Sequence, residues 1–346
     1  MKPQHRIVAD GLDITKLIND RLLGCRVTDK PGVDSDDFEI RLDDRDSKLG
    51  LLKRGVELAV YLGWEGEKLG FLGRFTVDEV EVSGPPDTMV IRSKSGDTRG
   101  SAKTTRDASW EGVPLSTIVA DVAKRNDWIP ECTVDTLVER ADQLGESDLN
   151  FINRIAKQYD CTAKLADGKL IVQPRQSGKS ASGKTLPVVT IRKTDVSRYS
   201  FRLGDDSVKK AVKASYQDEK GKLAVVEIGN DAAPSGAPPV HSDRHIHPNK
   251  TAAEAAAKAR LAGFNRSTAE VRLEMDGRLD VVAETQIDAQ GFKDGLNGLY
   301  LADTVEQSWD AGGWTTSVEC NGGKDGKADA KGKKKKGPLE VVNIGA

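Results

Sequence analysis

Through roughly the first 95 residues of this 346-residue chain, apolar side chains recur at every second position, the period of a strand with one buried face. In "FEIRLDD" that period puts Phe38, Ile40 and Leu42 on one face, and "VELAVYLGW" does the same for Val56, Leu58, Val60 and Leu62. "GRFTVDEVEV" continues with Phe75, Val77, Val80 and Val82, where the step from Val77 to Val80 predicts a β-bulge. The Gly-Pro-Pro of "SGPPDT" turns the chain into "MVIRSKS". Short strands joined by turns, with no helix between them, predict a barrel or sandwich.

The period lengthens after Gly100. "VPLSTIVADVAKRNDW" carries Leu115, Ile118, Val119, Val122 and Ala123 at helical spacing, with Pro114 suited to the first turn. "ESDLNFINRIAKQY" predicts a second helix, capped by Ser147 or Asp148, with Leu149, Ile152, Ala156 and Tyr159 on one stripe. The following "CTAKLADGKLIVQP" reads as a hairpin turning at Asp167-Gly168. Strands return over 186–229, in "LPVVTIRK", "RYSFRL", "VKKAVKASYQD" and "KLAVVEIG", before the loop "NDAAPSGAPP". A third helix is expected in "TAAEAAAKARLAG", opened by a Thr251/Glu254 capping box and ended by Gly263. From Ala269 to Cys320 the chain alternates again.

An internal echo connects the two β-rich ends. "GRFTVDEVEVS" and "GLYLADTVEQS" align without gaps: Gly73 with Gly298, Phe75 with Tyr300, Asp78 with Asp303, Val80 with Val305, Glu81 with Glu306 and Ser83 with Ser308. Alternation alone would not place Gly, Asp and Glu at matching positions. The pattern therefore reads as a duplicated β module.

Composition narrows the chemistry. Lys+Arg 52 against Asp+Glu 54 gives a net charge of −2, no global field for nucleic acid or an anionic membrane. The Lys/Gly-rich run near the C-terminus is expected to be a solvated linker. Cys25, Cys132, Cys161 and Cys320 form no C-x-x-C pair, which fits a reducing compartment and argues against a disulfide framework. Asp10 and Asp13 interrupt any signal-peptide core, and no apolar run approaches membrane-spanning length.

Two motifs mimic active centres. "GKSASGKT", Gly178–Thr185, matches the P-loop pattern, with Lys184 in the phosphate-binding place. A P-loop needs a helix after it, and "LPVVTIRK" is a strand, so the match reads as a Ser/Gly-rich hairpin loop. His241, His245 and His247 cluster in "HSDRHIH", but Asp243 is the only acidic neighbour, too few ligands for zinc, so no metal or cofactor is expected. The acidic turns "DSDD" and "LDDRD" read as solvated faces. A nucleotide hydrolase using Lys184, or a glycosidase pair distant in sequence, stays as the enzymatic alternative.

In order along the chain, "RVTDKPGVDSDDFEIRLDDRD", "GVELAVYLGW", "GRFTVDEVEVSGPPDTMVIR", "ESDLNFINRIAKQYDCTAKLADGKLIVQP", "TAAEAAAKARLAGF" and "GLYLADTVEQSWDAGGWTTSVEC" resemble the phage late control D (gpD) family. These are hub proteins of contractile-tail baseplates, related to the hub part of the VgrG spikes of type VI secretion. The resemblance implies a non-enzymatic homotrimer that joins a six-fold tail tube to a three-fold central spike, alongside other baseplate proteins. It would sit in the virion tail baseplate after assembly in the host cytoplasm, with no specific nucleic-acid partner and no membrane insertion. A tailocin or secretion-device hub is the close alternative. The implied fold is α+β, mostly β: two similar tail-tube-like β-barrel domains with an α+β domain between them. The expected boundaries are 1–98 for the first barrel, 186–228 with 268–322 for the second, and 99–177 with 229–267 for the α+β domain. A flexible tail would cover 323–346. Related spikes hold iron through H-x-H at a needle tip; His245-Ile246-His247 precedes a helix instead, so that metal is not carried over. The chain has no β-helical spike sequence, so a separate spike protein is expected, and "GPLEVVNIGA" could add a strand to a neighbour.

Overall fold

The computed structural model describes residues 2–327, apart from 33–35, 96–103, 167, 180–184, 205–207, 219, 232 and 234–239. The alternating N-terminal segments are strands: β1 (Pro3–Ala9), β2 (Leu12–Asp13), β3 (Leu22–Asp29), β4 (Asp37–Asp43), β5 (Glu57–Trp64), β6 (Gly70–Ser83) and β7 (Thr88–Lys94), with a one-turn helix α1 (Thr15–Ile18). They lie side by side in the order β3-β4-β7-β6-β5-β1-β2. Phe38, Ile40, Leu42, Leu58, Val60, Leu62, Phe75 and Val77 are all buried on the inner face, as the alternation predicts. Each full burial of such a side chain is worth about 1.5–3 kcal/mol. The predicted bulge is present: against β7, the register of β6 slips between Val77 and Glu79. Past it Val80 is only half-buried and Val82 is exposed, because the β6–β7 hairpin runs on beyond the core.

The middle segment has its own core. It contains β8 (Thr105–Pro114), α2 (Leu115–Arg125), β9 (Ile129–Cys132), β10 (Leu137–Ser147), α3 (Asp148–Gln158), β11 (Cys161–Ala166) and β12 (Lys169–Pro174). The strands pair as β8 with β10 and as β9-β12-β11. Leu115, Ile118 and Val122 of α2 meet Phe151, Ile152 and Ile155 of α3, and Trp110 stacks on Phe151 at 4.9 Å. The buried stripe of α3 is therefore centred on Phe151 and Ile155, with Leu149 and Tyr159 at its half-buried margins.

Ser147 is the cap of α3, its Oγ accepting the Asn150 N–H at 3.3 Å. Asp148 has a different role. It is fully buried and accepts from Asn126 Nδ2 and Gln143 Nε2 at 2.9 Å each, with Arg106 and Arg125 at 3.4 and 3.5 Å. Asp148→Asn turns one acceptor into a donor facing two amide donors. It is expected to lower unfolding stability by about 2 kcal/mol in urea titration, and a loss below about 0.5 kcal/mol would contradict this placement.

The remaining elements are β13 (Val189–Arg192), β14 (Val196–Leu203), β15 (Ala211–Gln217), β16 (Leu223–Gly229), β17 (His241–His247), α4 (Lys250–Arg266), β18 (Ala269–Asp276), β19 (Gln286–Gln290), β20 (Gly298–Asp310) and β21 (Gly313–Asn321). Hydrogen bonding separates what the sequence grouped as 186–228. β13 and β14 join β18–β21, whereas β15 and β16 pair with β17 in a separate sheet. That sheet packs Val212, Ala214 and Val226 against Ala253 and Ala257 of α4. Two helix-end expectations are also corrected. Asn249, not Thr251, caps α4, accepting the Ala252 N–H at 2.8 Å. Gly263 lies within the helix, because Leu261 and Phe264 continue its packed face beyond that point.

β20 also pairs with β3, so the two β-rich ends form one thirteen-stranded sheet among the described residues. Of the expected α+β fold with two similar β-barrel domains, the mostly-β character is present, and no ladder closes either half among the described residues. Each half curls around its own core instead. In the first, His5 of β1 reaches Trp309 of β20, with ring centroids 4.5 Å apart. In the second, Phe201 of β14 meets Tyr300 of β20 at 5.8 Å.

Candidate functional site

The twelve positions singled out by the internal echo do not converge on one pocket. Six of them lie on β6 and six on β20. Gly73 and Gly298 both have left-handed φ angles, +154° and +114°. Two residues later Phe75 and Tyr300 are buried, one in each core. Phe75 lies 5.5 Å from Phe38, and the Tyr300 hydroxyl donates to the Leu296 carbonyl at 2.8 Å. Asp78 sits at the register slip against β7, and Asp303 at a slip between Ala302 and Thr304 against β21. Val305 is buried where Val80 is half-buried, because β3 lies along that part of β20. Glu81 accepts from Arg92 at 2.8 Å, and Glu306 lies 3.5 Å from Arg26. Ser83 contacts Thr88 at 3.0 Å, and Ser308 donates to Glu306 at 3.1 Å. Both strands are flanked by the strands before and after them in sequence, β5 and β7 for β6, β19 and β21 for β20.

β20 is the strand common to both halves. Gly298–Leu301 pair with β19, and Val305–Asp310 pair with β3. The turn after it delivers Trp314, which is 2% exposed, into the first core rather than the second. There it lies 5.2 Å from Trp64. Trp64 Nε1 donates to the Gly277 carbonyl at 3.0 Å, and Trp314 Nε1 to Gln307 at 2.9 Å.

A buried charge cluster ties all three parts together. Lys164 of β11 lies 2.7 Å from Asp29, at the end of β3, and 3.0 Å from Asp36. The second Asp29 oxygen accepts the Ala283 N–H at 2.8 Å. The "DSDD" turn is therefore not a wholly solvated face: the Asp36 side chain is only 15% exposed, because the β11–β12 hairpin docks on it. Burial, with the Asp29 charge nearby, pushes the Asp36 carboxyl up to about 7 against the pull of Lys164. The cluster walls a cavity of about 420 Å³, where Ser95 Oγ and Thr162 Oγ1 are buried without a partner among the described residues. On β11, Cys161, Ala163 and Leu165 are buried and Lys164 is half-buried. Nothing local names its acidic partners.

A second contact joins the middle part to the bulge of β20. Arg175 donates to Asp303 at 3.3 Å, and the Gln176 N–H donates to Glu284 at 2.6 Å. The first residues of the expected flexible tail are pinned here too. Lys324 N–H donates to Gln176 at 2.8 Å, and Lys327 Nζ sits 4.3 Å from the Tyr300 ring centroid. "GPLEVVNIGA" lies outside the described residues.

Of the P-loop-like motif, Ser180–Lys184 lie outside the described residues; Lys179 and Thr185 form an isolated bridge, and the chain continues into strand β13. Among the described residues no three His, Cys, Asp or Glu side chains are grouped to hold a metal. No described helix is long and apolar enough to cross a membrane.

The sequence profile described as "Phage tail baseplate hub (GPD)" matches residues 36–313. The probable baseplate hub protein of Escherichia phage P2 is 30% identical, over 92% of this chain and 93% of that protein. The 43 kDa tail protein of prophage MuSo2 from Shewanella oneidensis shares the fold at a TM-score of 0.69 and 15% identity, covering 92% of this chain and 98% of that one. An E. coli component of the type VI secretion system is similar at a TM-score of 0.55 and 11% identity, over 92% and 76% of the two chains. With a sheet assembled from two β-rich ends and a family profile spanning most of the chain, this protein belongs to the phage tail baseplate hub (GPD) family.

Proposed function

We propose that this hub is a homotrimeric adaptor in which each chain supplies two similar barrel-like β modules. Three chains would then present six comparable faces to a tail tube and a three-fold platform to a separate central spike. The observation that carries the reading is the equivalence of β6 and β20: a left-handed glycine, an aromatic residue in its own core, and a bulge at an aspartate, all in one register. Two unrelated amphipathic strands would share alternation without sharing the bulge position. A closed three-fold ring uses heterologous contacts, which two related but distinct faces on one chain can supply. Residues 1–98 form one module, and 186–203 with 268–322 the other. The parts built on 99–177 and 208–267 flank them. This role is geometric, in the baseplate of the virion after assembly in the host cytoplasm, and assigns the chain no reaction, cofactor or nucleic acid. The hub of a tailocin or secretion device is the second reading, favoured by the fold shared with the type VI component.

Light scattering of the purified chain, alone and co-expressed with a candidate spike protein, tests the proposal. The expected mass is three times that of the chain in at least the second sample, and averaged electron images of it should show a ring with six lobes. A monomer or dimer in both samples, or a ring with only three lobes, would overturn the adaptor reading.

A further inference from the structure

β14 is an end strand of the large sheet: β18 lies along one side, and no described strand lies along the other. A second open edge runs along Val80–Ser83 of β6. β7 borders it on one side, while β5 pairs no further along β6 than Thr76. Unpaired edges present backbone donors and acceptors to any strand that fits. The junction inside the chain specifies what fits these two.

Hydrogen bonding runs in one order through both halves, β3-β4-β7-β6-β5 in the first and β14-β18-β21-β20-β19 in the second, every neighbour antiparallel. Residues directly opposite one another lead from Val80 to Ile91, Ile40 and Cys25. The same steps lead from Val305 to Val318, Leu273 and Tyr199. Cys25 of β3 thus corresponds to Tyr199 of β14, Val27 to Phe201 and Asp29 to Leu203. The irregularities coincide as well: β3 slips against β4 between Leu22 and Gly24, and β14 against β18 between Val196 and Arg198. Inside the chain, β3 lies on β20 with Asp29 opposite Val305 and Val27 opposite Gln307. The counterparts of those two strands, β14 and β6, carry the two open edges.

Burial marks the difference. Where β3 and β20 cover each other, Cys25, Val27, Val305 and Gln307 are at most 5% exposed. At the open edges Tyr199 is 44% and Val82 54% exposed, and Phe201 and Val80 are half-buried. We infer that β14 of one copy pairs antiparallel with Val80–Ser83 of a second copy, repeating between chains the β3–β20 junction within one. The register carried over puts Val80 opposite Leu203, Glu81 opposite Arg202, Val82 opposite Phe201 and Ser83 opposite Ser200. Charge and shape suit it. Glu81 and Arg202 are exposed and of opposite sign, and Val82 against Phe201 takes two apolar side chains out of water. Each chain offers one edge of each kind, so the contact is heterologous and runs head to tail. Closure of that series at three chains rests on the trimer reading above; the strand pairing does not.

The double variant Ser83→Cys/Ser200→Cys of the full chain, co-expressed with a candidate spike protein, tests the pairing. Directly opposed residues of an antiparallel pair have Cα atoms about 4.5–5.5 Å apart, within disulfide reach, and both serines are exposed. Mild oxidation is expected to yield covalent trimer on non-reducing gels, and neither single variant should do so. Glu81→Arg alone, or Arg202→Glu alone, should raise the concentration for half-assembly at least about tenfold in light scattering, and the two together should restore it. A trimer by light scattering whose cysteine pair stays unlinked, or whose assembly ignores the single reversals or is not restored by the double one, would overturn the strand pairing and leave the trimer reading standing. Disulfide-linked species running past three chains would support the pairing and overturn three-fold closure. Chains that stay monomeric and unlinked would overturn both.

Discussion

Lys164→Met is expected to lower the unfolding free energy by about 3 kcal/mol near neutral pH, because it leaves two mostly buried carboxylates without their cation. The Lys164, Asp29 and Asp36 side chains are 15%, 25% and 15% exposed, so water screens the group poorly. Removing one member of such a cluster costs more than the net worth of the intact pair, since the survivors keep their desolvation penalty. Methionine retains the length and packing of the lysine stem, so the loss reports charge rather than a cavity. The damage should spread beyond β11, because Asp29 also holds the Ala283 N–H of the second β half.

The same cluster sets a pH dependence whose sign follows from Asp36. Its folded carboxyl is raised to about 7 by burial, whereas in the unfolded chain it titrates near the ordinary value of about 4. Between those values the unfolded chain has released a proton that the folded one retains. Stability from this group is therefore full below about pH 4 and is lost as pH rises to about 7. Asp36→Asn keeps an acceptor for the Lys30 N–H, which lies 3.1 Å from Asp36, and abolishes the titration. Urea unfolding followed by tryptophan fluorescence should give a flatter pH profile for this variant and, above pH 7, stability equal to or above wild type. A Lys164→Met loss under about 1 kcal/mol would show that the cluster is not integral to the fold.

The limits of sequence reading have physical causes. Alternation located the strands well: Phe38, Ile40 and Leu42 are buried where the period put them, and the missed beat after Val77 is the bulge. A ladder of backbone hydrogen bonds, however, leaves little side-chain record of its partner. Hence "VKKAVKASYQD" was legible as a strand but not as the neighbour of β17, and the β3–β20 pairing that unites the halves had no local signal. The echo between Gly73–Ser83 and Gly298–Ser308 was visible because a left-handed glycine and a bulge constrain residue type. Lys164 was hidden for the opposite reason. A lysine on a hairpin looks solvated until a turn more than a hundred residues away docks on it.

Where the two halves of the sheet meet, a double-mutant cycle should expose a steric lock. Gly277 donates its N–H to the Trp314 carbonyl at 2.9 Å and accepts from Trp64 Nε1 at 3.0 Å, so its backbone is held from both sides. A Cβ built there would fall inside the Trp314 indole. Trp314 has no easy retreat: it is 2% exposed, packs against Trp64, and donates to Gln307, which itself is bonded to Thr316 and the Arg278 carbonyl. Gly277→Ala should therefore cost about 3 kcal/mol by overpacking, and Trp314→Ala about 4 kcal/mol by cavity formation. Once the ring is gone, the added methyl group has room. The double variant should then fall short of the summed losses by about 2 kcal/mol. Additive losses in urea unfolding would mean that glycine at 277 serves the backbone rather than the ring. Coupling would instead show that Gly277 and Trp314 are locked against each other where the second half reaches into the first core, and that separating the halves requires pulling Trp314 out of its socket.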